Sequence, residues 1–101
     1  MLMTEKLRKS IPSLYSGENI PIKNQVVHAK FFINNSTWWI LEYSEQKKIF
    51  FGFVDILELE LGYISEEELL SININGLKVE RDLYFTAKKV SEIEELKDAL
   101  K

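Results

Sequence analysis

Apolar residues gather in three short runs near the middle of the chain, and polar patches separate them. The runs are VVHAKFFI (26–33), TWWILEY (37–43) and IFFGFVDIL (49–57), and they hold eight of the chain's twelve aromatic residues. Aromatic and β-branched residues in runs of this length are typical of β-strands. The pattern therefore predicts three consecutive antiparallel strands that form the core.

The alternation of side chains along a strand predicts which residues share a face of this sheet. Trp39, Leu41 and Tyr43 should lie on one face, with the residues between them on the other. Both faces are largely apolar, which indicates a sheet covered on both sides. Gly52 stands among aromatic residues and indicates a bulge or a close approach of two backbones. The side chains predicted to be least accessible are Phe31, Trp39, Leu41, Ile49, Phe51 and Phe53.

Three segments outside these strands carry the signals of a helix start. Thr4 is a candidate N-cap, and Ser65 and Ser91 are each followed three residues later by glutamate, as in a capping box. The run LKVERDLYF (77–85) predicts a fourth strand. The predicted class is α+β: an antiparallel sheet of about four strands with short flanking N-terminal, middle and C-terminal helices, in a single domain, 1–101.

Charge is distributed unevenly, although the net charge is only −3. Six acids and no base fall within residues 55–70, namely Asp55, Glu58, Glu60, Glu66, Glu67 and Glu68. Such an acidic stretch indicates a surface that attracts a basic partner. The chain has no cysteine, which fits a reducing cytoplasm. No apolar run approaches membrane-spanning length and no signal peptide is evident, so we expect no membrane partner.

Catalytic signatures are absent from the sequence. His28 is the only histidine, and no phosphate-binding loop or activated nucleophile can be recognised. We therefore predict no catalytic residue, no metal and no cofactor. One alternative is a small metal-dependent nuclease, in which Asp55, Glu58 and Glu60 would hold a divalent cation. That enzyme would need a further carboxylate and a nearby lysine, for which Glu42 and Lys30 are the candidates. The competing interpretation is that these acids are solvated and complement a helix N-terminus.

Arg81, within the triplet Glu80-Arg81-Asp82, has two interpretations. As a structural residue it would form an ion pair with Glu60 or Glu42 on a neighbouring element. As a binding residue it would take an anion or a phosphate. Together with an exposed tryptophan, it would make the protein a binder of nucleic acid or nucleotides, with bases stacked on the ring.

Several segments in order resemble a known family. They are HAKFF (28–32), WW (38–39), EY (42–43), FFG (50–52), ELGY (60–63) and VERDLYF (79–85). They resemble the bacterial domain-of-unknown-function family 2958 over nearly the whole chain, and the pair ELGY and VERDLYF carries most of the specificity. The resemblance implies a small protein of plasmids, phages and conjugative elements. That family has no established activity, so the resemblance implies no catalytic residues.

These features together predict a small accessory protein of a mobile element that binds another protein and is not an enzyme. The expected partner has a basic surface, and the acidic stretch would inhibit a host defence or DNA-processing enzyme by occupying its groove. Nucleic acid is the second candidate partner, and the pattern predicts no particular oligomeric state. We expect a solvated first helical turn at 66–68. The predicted binding residues are Glu58, Glu60, Tyr63, Glu66, Glu67, Glu68 and Arg81.

Overall fold

The computed structural model describes residues 2–100, and its centre is a five-stranded antiparallel sheet. Along the chain the elements are α1 (Glu5–Ser10), β1 (Val26–Val27), β2 (Ala29–Ile33), β3 (Ser36–Ser44), β4 (Ile49–Asp55), β5 (Leu59–Ser65), α2 (Glu66–Ser71), β6 (Asn73–Ile74), β7 (Leu77–Lys78), β8 (Glu80–Arg81) and β9 (Lys88–Lys89). Short 3-10 segments cover Ile22–Asn24, Val90–Glu92 and Glu94–Leu100. The main sheet has the order β5-β4-β3-β2-β8, while β1 pairs with β9 and β6 with β7. This architecture confirms the predicted α+β class.

Both faces of the sheet are covered, as the apolar pattern predicted. Helices α1 and α2 cover the helical face, which holds Phe31, Trp38, Ile40, Tyr43 and Phe50. The 3-10 segments near the C-terminus cover the other face, here named the C-terminal face, which holds Trp39, Leu41 and Phe53. Of the six side chains predicted to be least accessible, Phe31, Trp39, Leu41 and Phe53 are buried, whereas Ile49 and Phe51 are only half-buried.

A β-bulge in β3 changes the predicted alternation. The register against β4 shifts between Ile40 and Glu42, so Leu41 is an extra residue. Tyr43 therefore joins Ile40 on the helical face, and the prediction that it shares a face with Leu41 is wrong. Gly52 pairs with Ile40 at this bulge, and a Cβ there would overlap the Trp39 carbonyl oxygen. The predicted close backbone approach at Gly52 is thus confirmed.

Two of the three predicted N-caps, Thr4 and Ser65, are confirmed, and the third, Ser91, is wrong. Thr4 Oγ1 accepts from the N–H of Leu7 at 3.1 Å, and Ser65 Oγ accepts from the N–H of Glu68 at 3.2 Å. At the predicted Ser91 cap the chain forms 3-10 turns instead of an α-helix. The buried residues Val90, Ile93 and Leu96 recur every three positions, a spacing that matches the three residues per turn of a 3-10 helix. None of the helices within residues 2–100 is long and apolar enough to cross a membrane.

The predicted fourth strand is divided. Its first residues form β7 in a hairpin with β6, and Glu80–Arg81 form β8 at the edge of the main sheet. Asp82 ends β8, because its carboxylate accepts from the N–H of Tyr84 at 2.9 Å in a side-chain turn. Leu83 and Tyr84 consequently point outward, 74% and 96% exposed. Arg81 and Asp82, just before this exposed pair, are half-buried.

Candidate functional site

The acidic stretch is divided between the two ends of β5. Glu58 and Glu60 are exposed and line a shallow depression of about 210 Å³ with Val54, where β5 begins. Glu67 and Glu68 are exposed on the first turn of α2, beyond the last residue of β5. A strand rises about 3.3 Å per residue, so the two acidic pairs lie about 20 Å apart. Within residues 2–100, no basic side chain lies within ion-pair distance of any of these four acids.

Glu66 does not belong to this exposed set. Its side chain is buried, and its Oε1 accepts from the hydroxyl of Tyr43 at 2.5 Å. The Tyr43 oxygen accepts in turn from Arg8 Nη1 at 2.8 Å, and Arg8 Nη2 lies 3.7 Å from Glu66 Oε2. The expectation of a solvated first turn is therefore wrong at Glu66, because the bulge directs Tyr43 toward it. This Arg8–Tyr43–Glu66 triad connects α1, β3 and α2.

The triad predicts how stability depends on pH. Desolvation and the hydrogen bond to Glu66 raise the pKa of Tyr43 to about 12, from an ordinary value of 10.0. The folded protein therefore holds the hydroxyl proton of Tyr43 more tightly than the unfolded chain does. The stabilisation is complete below about pH 10 and is lost as the pH rises toward about 12. Chemical unfolding followed between pH 9 and 12 should show this loss, and Tyr43→Phe should show a smaller one. Equal pH slopes in the two proteins would contradict the prediction.

Arg81 lies far from the acids predicted to pair with it. It is on β8, at one edge of the main sheet, whereas Glu60 is on β5 at the opposite edge. In the part of the chain that the structure describes, Arg81 forms no ion pair, and its buried Nε has no hydrogen-bond partner. The predicted ion pair with Glu60 or Glu42 is wrong. The predicted binding residues thus occupy separate regions, because Arg81 is four strands away from Glu58 and Glu60.

A groove lined by aromatic side chains lies on the C-terminal face beside β5. Tyr63 is 59% exposed, and its ring centroid lies 5.1 Å from that of Phe51 and 6.5 Å from that of Tyr15. Leu61 and Ile20 complete this tyrosine groove, which has a volume of about 410 Å³. The pKa of Tyr63 is raised by desolvation, by the Tyr15 hydroxyl and by nearby carboxylates. The groove is an apolar contact surface with hydroxyl groups at its rim.

Glu42 holds the loop that forms the far wall of this groove. The bulge in β3 turns its side chain onto the C-terminal face, where it is buried. Its Oε1 accepts from the N–H of Tyr15 at 2.9 Å, and its Oε2 accepts from the N–H of Gly17 at 2.8 Å. Tyr15 adopts a φ of 70°, a left-handed conformation that these bonds stabilise. Residue pattern alone does not reveal this role, although an acid inside an apolar strand indicates a specific partner.

The residues that metal binding or base stacking would require are separated or buried in the structure. Lys30 Nζ lies 3.9 Å from both Asp82 and Glu95, at a distance from the acids of β5. Residues 2–100 contain no group of three or more metal-ligating side chains. Trp38 and Trp39 are 3% and 2% exposed, so neither offers the exposed ring that base stacking requires. His28 lines a cavity of about 230 Å³ beside the tyrosine groove, and burial lowers its pKa.

The fold and this surface define a small α+β protein with an aromatic groove and exposed acids along one edge of its sheet. The chain belongs to the family described as "Protein of unknown function (DUF2958)", whose model matches residues 2–98. That match confirms the resemblance found in the sequence. Comparison with curated proteins gives no match, and comparison with solved structures gives none either.

Proposed function

We propose that this protein is a non-catalytic binding protein whose partner is another protein with a basic surface. The observation that carries the proposal is the pair of exposed acids at each end of β5, Glu58 with Glu60 and Glu67 with Glu68. They are exposed and, among the described residues, lack basic partners, so their field extends into solvent. Such a surface accelerates association with a basic partner and raises specificity more than affinity.

The tyrosine groove supports the same proposal from a different property. Tyr15, Leu61 and Tyr63 are large, exposed and adjacent to one another. Aromatic residues surrounded by charged ones are typical of protein interfaces, since the rings supply contact energy and the charges select the partner. Acids and groove lie along the same strand, so a single partner can contact both.

The biological setting belongs to the proposal as well. We expect the protein to be encoded by a plasmid, phage or conjugative element and to act in the cytoplasm as an accessory factor. A compact acidic protein is suited to cover the basic groove of a host defence or DNA-processing enzyme and thereby inhibit it. Nucleic acid is the alternative partner, and the experiment below must distinguish it from a protein partner.

The test is an affinity capture from host lysate that compares two charge-matched double variants. Glu58→Lys with Glu60→Lys reverses one acidic pair of β5. Glu45→Lys with Glu80→Lys changes the net charge equally, at two exposed acids that lie outside β5 and outside both acidic pairs. We expect the first variant to recover at least about tenfold less of the specific partner, and the control to recover it normally. Capture by the unchanged protein should weaken as salt rises.

Three outcomes would contradict the proposal. One is equal loss of the partner in both double variants, since net charge alone would then explain it. Another is normal capture by the Glu58→Lys, Glu60→Lys variant at physiological salt. The third is loss of all captured material after nuclease treatment, which would indicate nucleic acid as the ligand. Circular dichroism of both variants should show an unchanged fold, because all four positions are exposed.

A further inference from the structure

The two edges of the main sheet differ in length. β8 at one edge has two residues, whereas β5 at the other has seven and pairs with β4 in continuous register from Leu59 to Ser65. It contains no proline and no bulge, two of the features that natural proteins use to block strand addition at an exposed edge, and Glu60 is its one charged residue. Among the described residues, β5 is therefore a regular, seven-residue edge with no strand on its outer side.

The hydrogen-bond pattern indicates which residues of β5 face outward. The N–H of Glu66 donates to the carbonyl of Lys48 at 3.0 Å, one step beyond the paired residues Ile49 and Ser65. In an antiparallel ladder, bonded and non-bonded pairs alternate. Even-numbered residues of β5 therefore bond to β4, while Leu59, Leu61 and Tyr63 direct their N–H and C=O groups away from it. Within residues 2–100, these outward groups have no other backbone partner.

The side chains around this edge differ between the two faces. Leu61 and Tyr63 lie on the C-terminal face, where they line the tyrosine groove. Glu60 lies on the opposite face and shares a depression with Glu58. A strand added beside β5 would alternate its own side chains between these two environments. The edge therefore suits a segment with apolar residues toward the groove and basic residues toward Glu58 and Glu60.

We propose that β5 is the template on which an extended, alternately apolar and basic segment of the partner protein adds as a sixth, antiparallel strand. This inference rests on the proposed function and specifies how the partner is bound. Main-chain hydrogen bonds would give affinity, and the two faces would give specificity. A second copy of this chain lacks the charge complementarity that the two faces favour, because its own β5 has no basic residue to place toward Glu58 and Glu60, and it is the competing occupant that the test below distinguishes.

The probe is a ten-residue peptide in which valine alternates with lysine, labelled for fluorescence anisotropy. In an antiparallel addition its valines face the groove and their N–H groups bond to β5, whereas the lysine N–H groups point to solvent. Methylating the backbone nitrogens of the valines should weaken peptide binding by at least about tenfold, because it removes the N–H groups that bond to β5. Methylating the backbone nitrogens of the lysines should leave peptide binding unchanged. The counterpart with glutamate in place of lysine should not bind.

Amide hydrogen exchange of the full chain gives an independent measurement. With the valine–lysine peptide at about ten times its Kd, exchange at Leu61 and Tyr63 should slow about tenfold. Exchange at Gly62 should change little, because its N–H already bonds to β4. Leu61→Pro removes one outward N–H at an edge where proline is tolerated, and should weaken peptide binding about tenfold relative to Leu61→Ala.

Four results would overturn the strand-addition proposal. These are equal binding of the two methylated peptides, no peptide binding, unchanged exchange at Leu61 and Tyr63 with peptide bound, or protection that rises with protein concentration alone. The last would indicate a second copy on the edge. If any of these occurs while the Glu58→Lys, Glu60→Lys variant still loses its captured partner, the binding function stands and only the strand-addition mode fails.

Discussion

Replacing Gly52 with alanine is expected to destabilise the fold by about 3 kcal/mol or more. The Cβ would overlap the Trp39 carbonyl oxygen on the paired strand, and the obstacle is backbone rather than a mobile side chain. To remove this overlap, β3 and β4 would have to separate beside the bulge, where Trp39 and Phe53 are packed in the core. Urea unfolding followed by tryptophan fluorescence measures the effect.

Gly62→Ala is the matched control for this substitution. Gly62 pairs directly with Gly52 across β4 and β5, yet a Cβ there has no neighbour within 4 Å. Alanine should be neutral or slightly stabilising at this position, since it restricts the unfolded chain more than glycine does. Similar losses in the two variants would show that glycine is needed for strand flexibility in general, and would contradict the steric explanation at Gly52.

Reversal of Glu66 to lysine is expected to cost about 3–5 kcal/mol, although three consecutive glutamates begin the same helix. The substitution removes the acceptor of the Tyr43 hydroxyl and places an ammonium group beside Arg8 in a buried position. Two cations in that position would repel each other, and the ion pair between Arg8 and Glu66 would be lost. Thermal unfolding should show a large decrease in Tm.

Glu67→Lys is the matched control on the neighbouring residue. Glu67 is exposed and forms no ion pair within residues 2–100, so its reversal removes only a favourable charge at the helix N-terminus. That loss is about 0.3–1 kcal/mol. If Glu66→Lys and Glu67→Lys destabilise the protein equally, the Arg8–Tyr43–Glu66 triad does not contribute to stability as proposed. The comparison also shows why Glu66 is unsuitable for testing the acidic surface.

Features with local causes were predicted correctly. Asparagine and glycine tolerate a positive φ, and the turns at Asn34 and Asn75-Gly76 form with positive φ values at all three residues. The caps at Thr4 and Ser65 form because a side-chain oxygen and an N–H three residues away need no tertiary partner. The three central strands and their two-sided burial follow from runs of apolar residues, which must leave water wherever they pack.

Features that depend on distant residues were predicted less well. β5 was not recognised, because Glu60, Gly62 and the exposed Tyr63 interrupt its apolar pattern and its stability comes from pairing with β4. Ser91 carries the same local signal as Ser65, yet the segment forms 3-10 turns whose residues pack under β3 and β4. The predicted ion pair of Arg81 failed because the strand order, which no local pattern encodes, separates it from Glu60.

By itself the sequence determined the α+β class, the aromatic core, the turns and the acidic composition of the 55–70 segment. Each of these depends on residue type and spacing, which short-range sterics and burial translate directly into structure. Only the tertiary structure decided which acids are exposed, because the bulge at Leu41 turns Tyr43 toward Glu66 and Glu42 toward the loop at Tyr15. One extra residue in a strand exchanges the two faces beyond it, and sequence periodicity alone does not reveal where that exchange occurs.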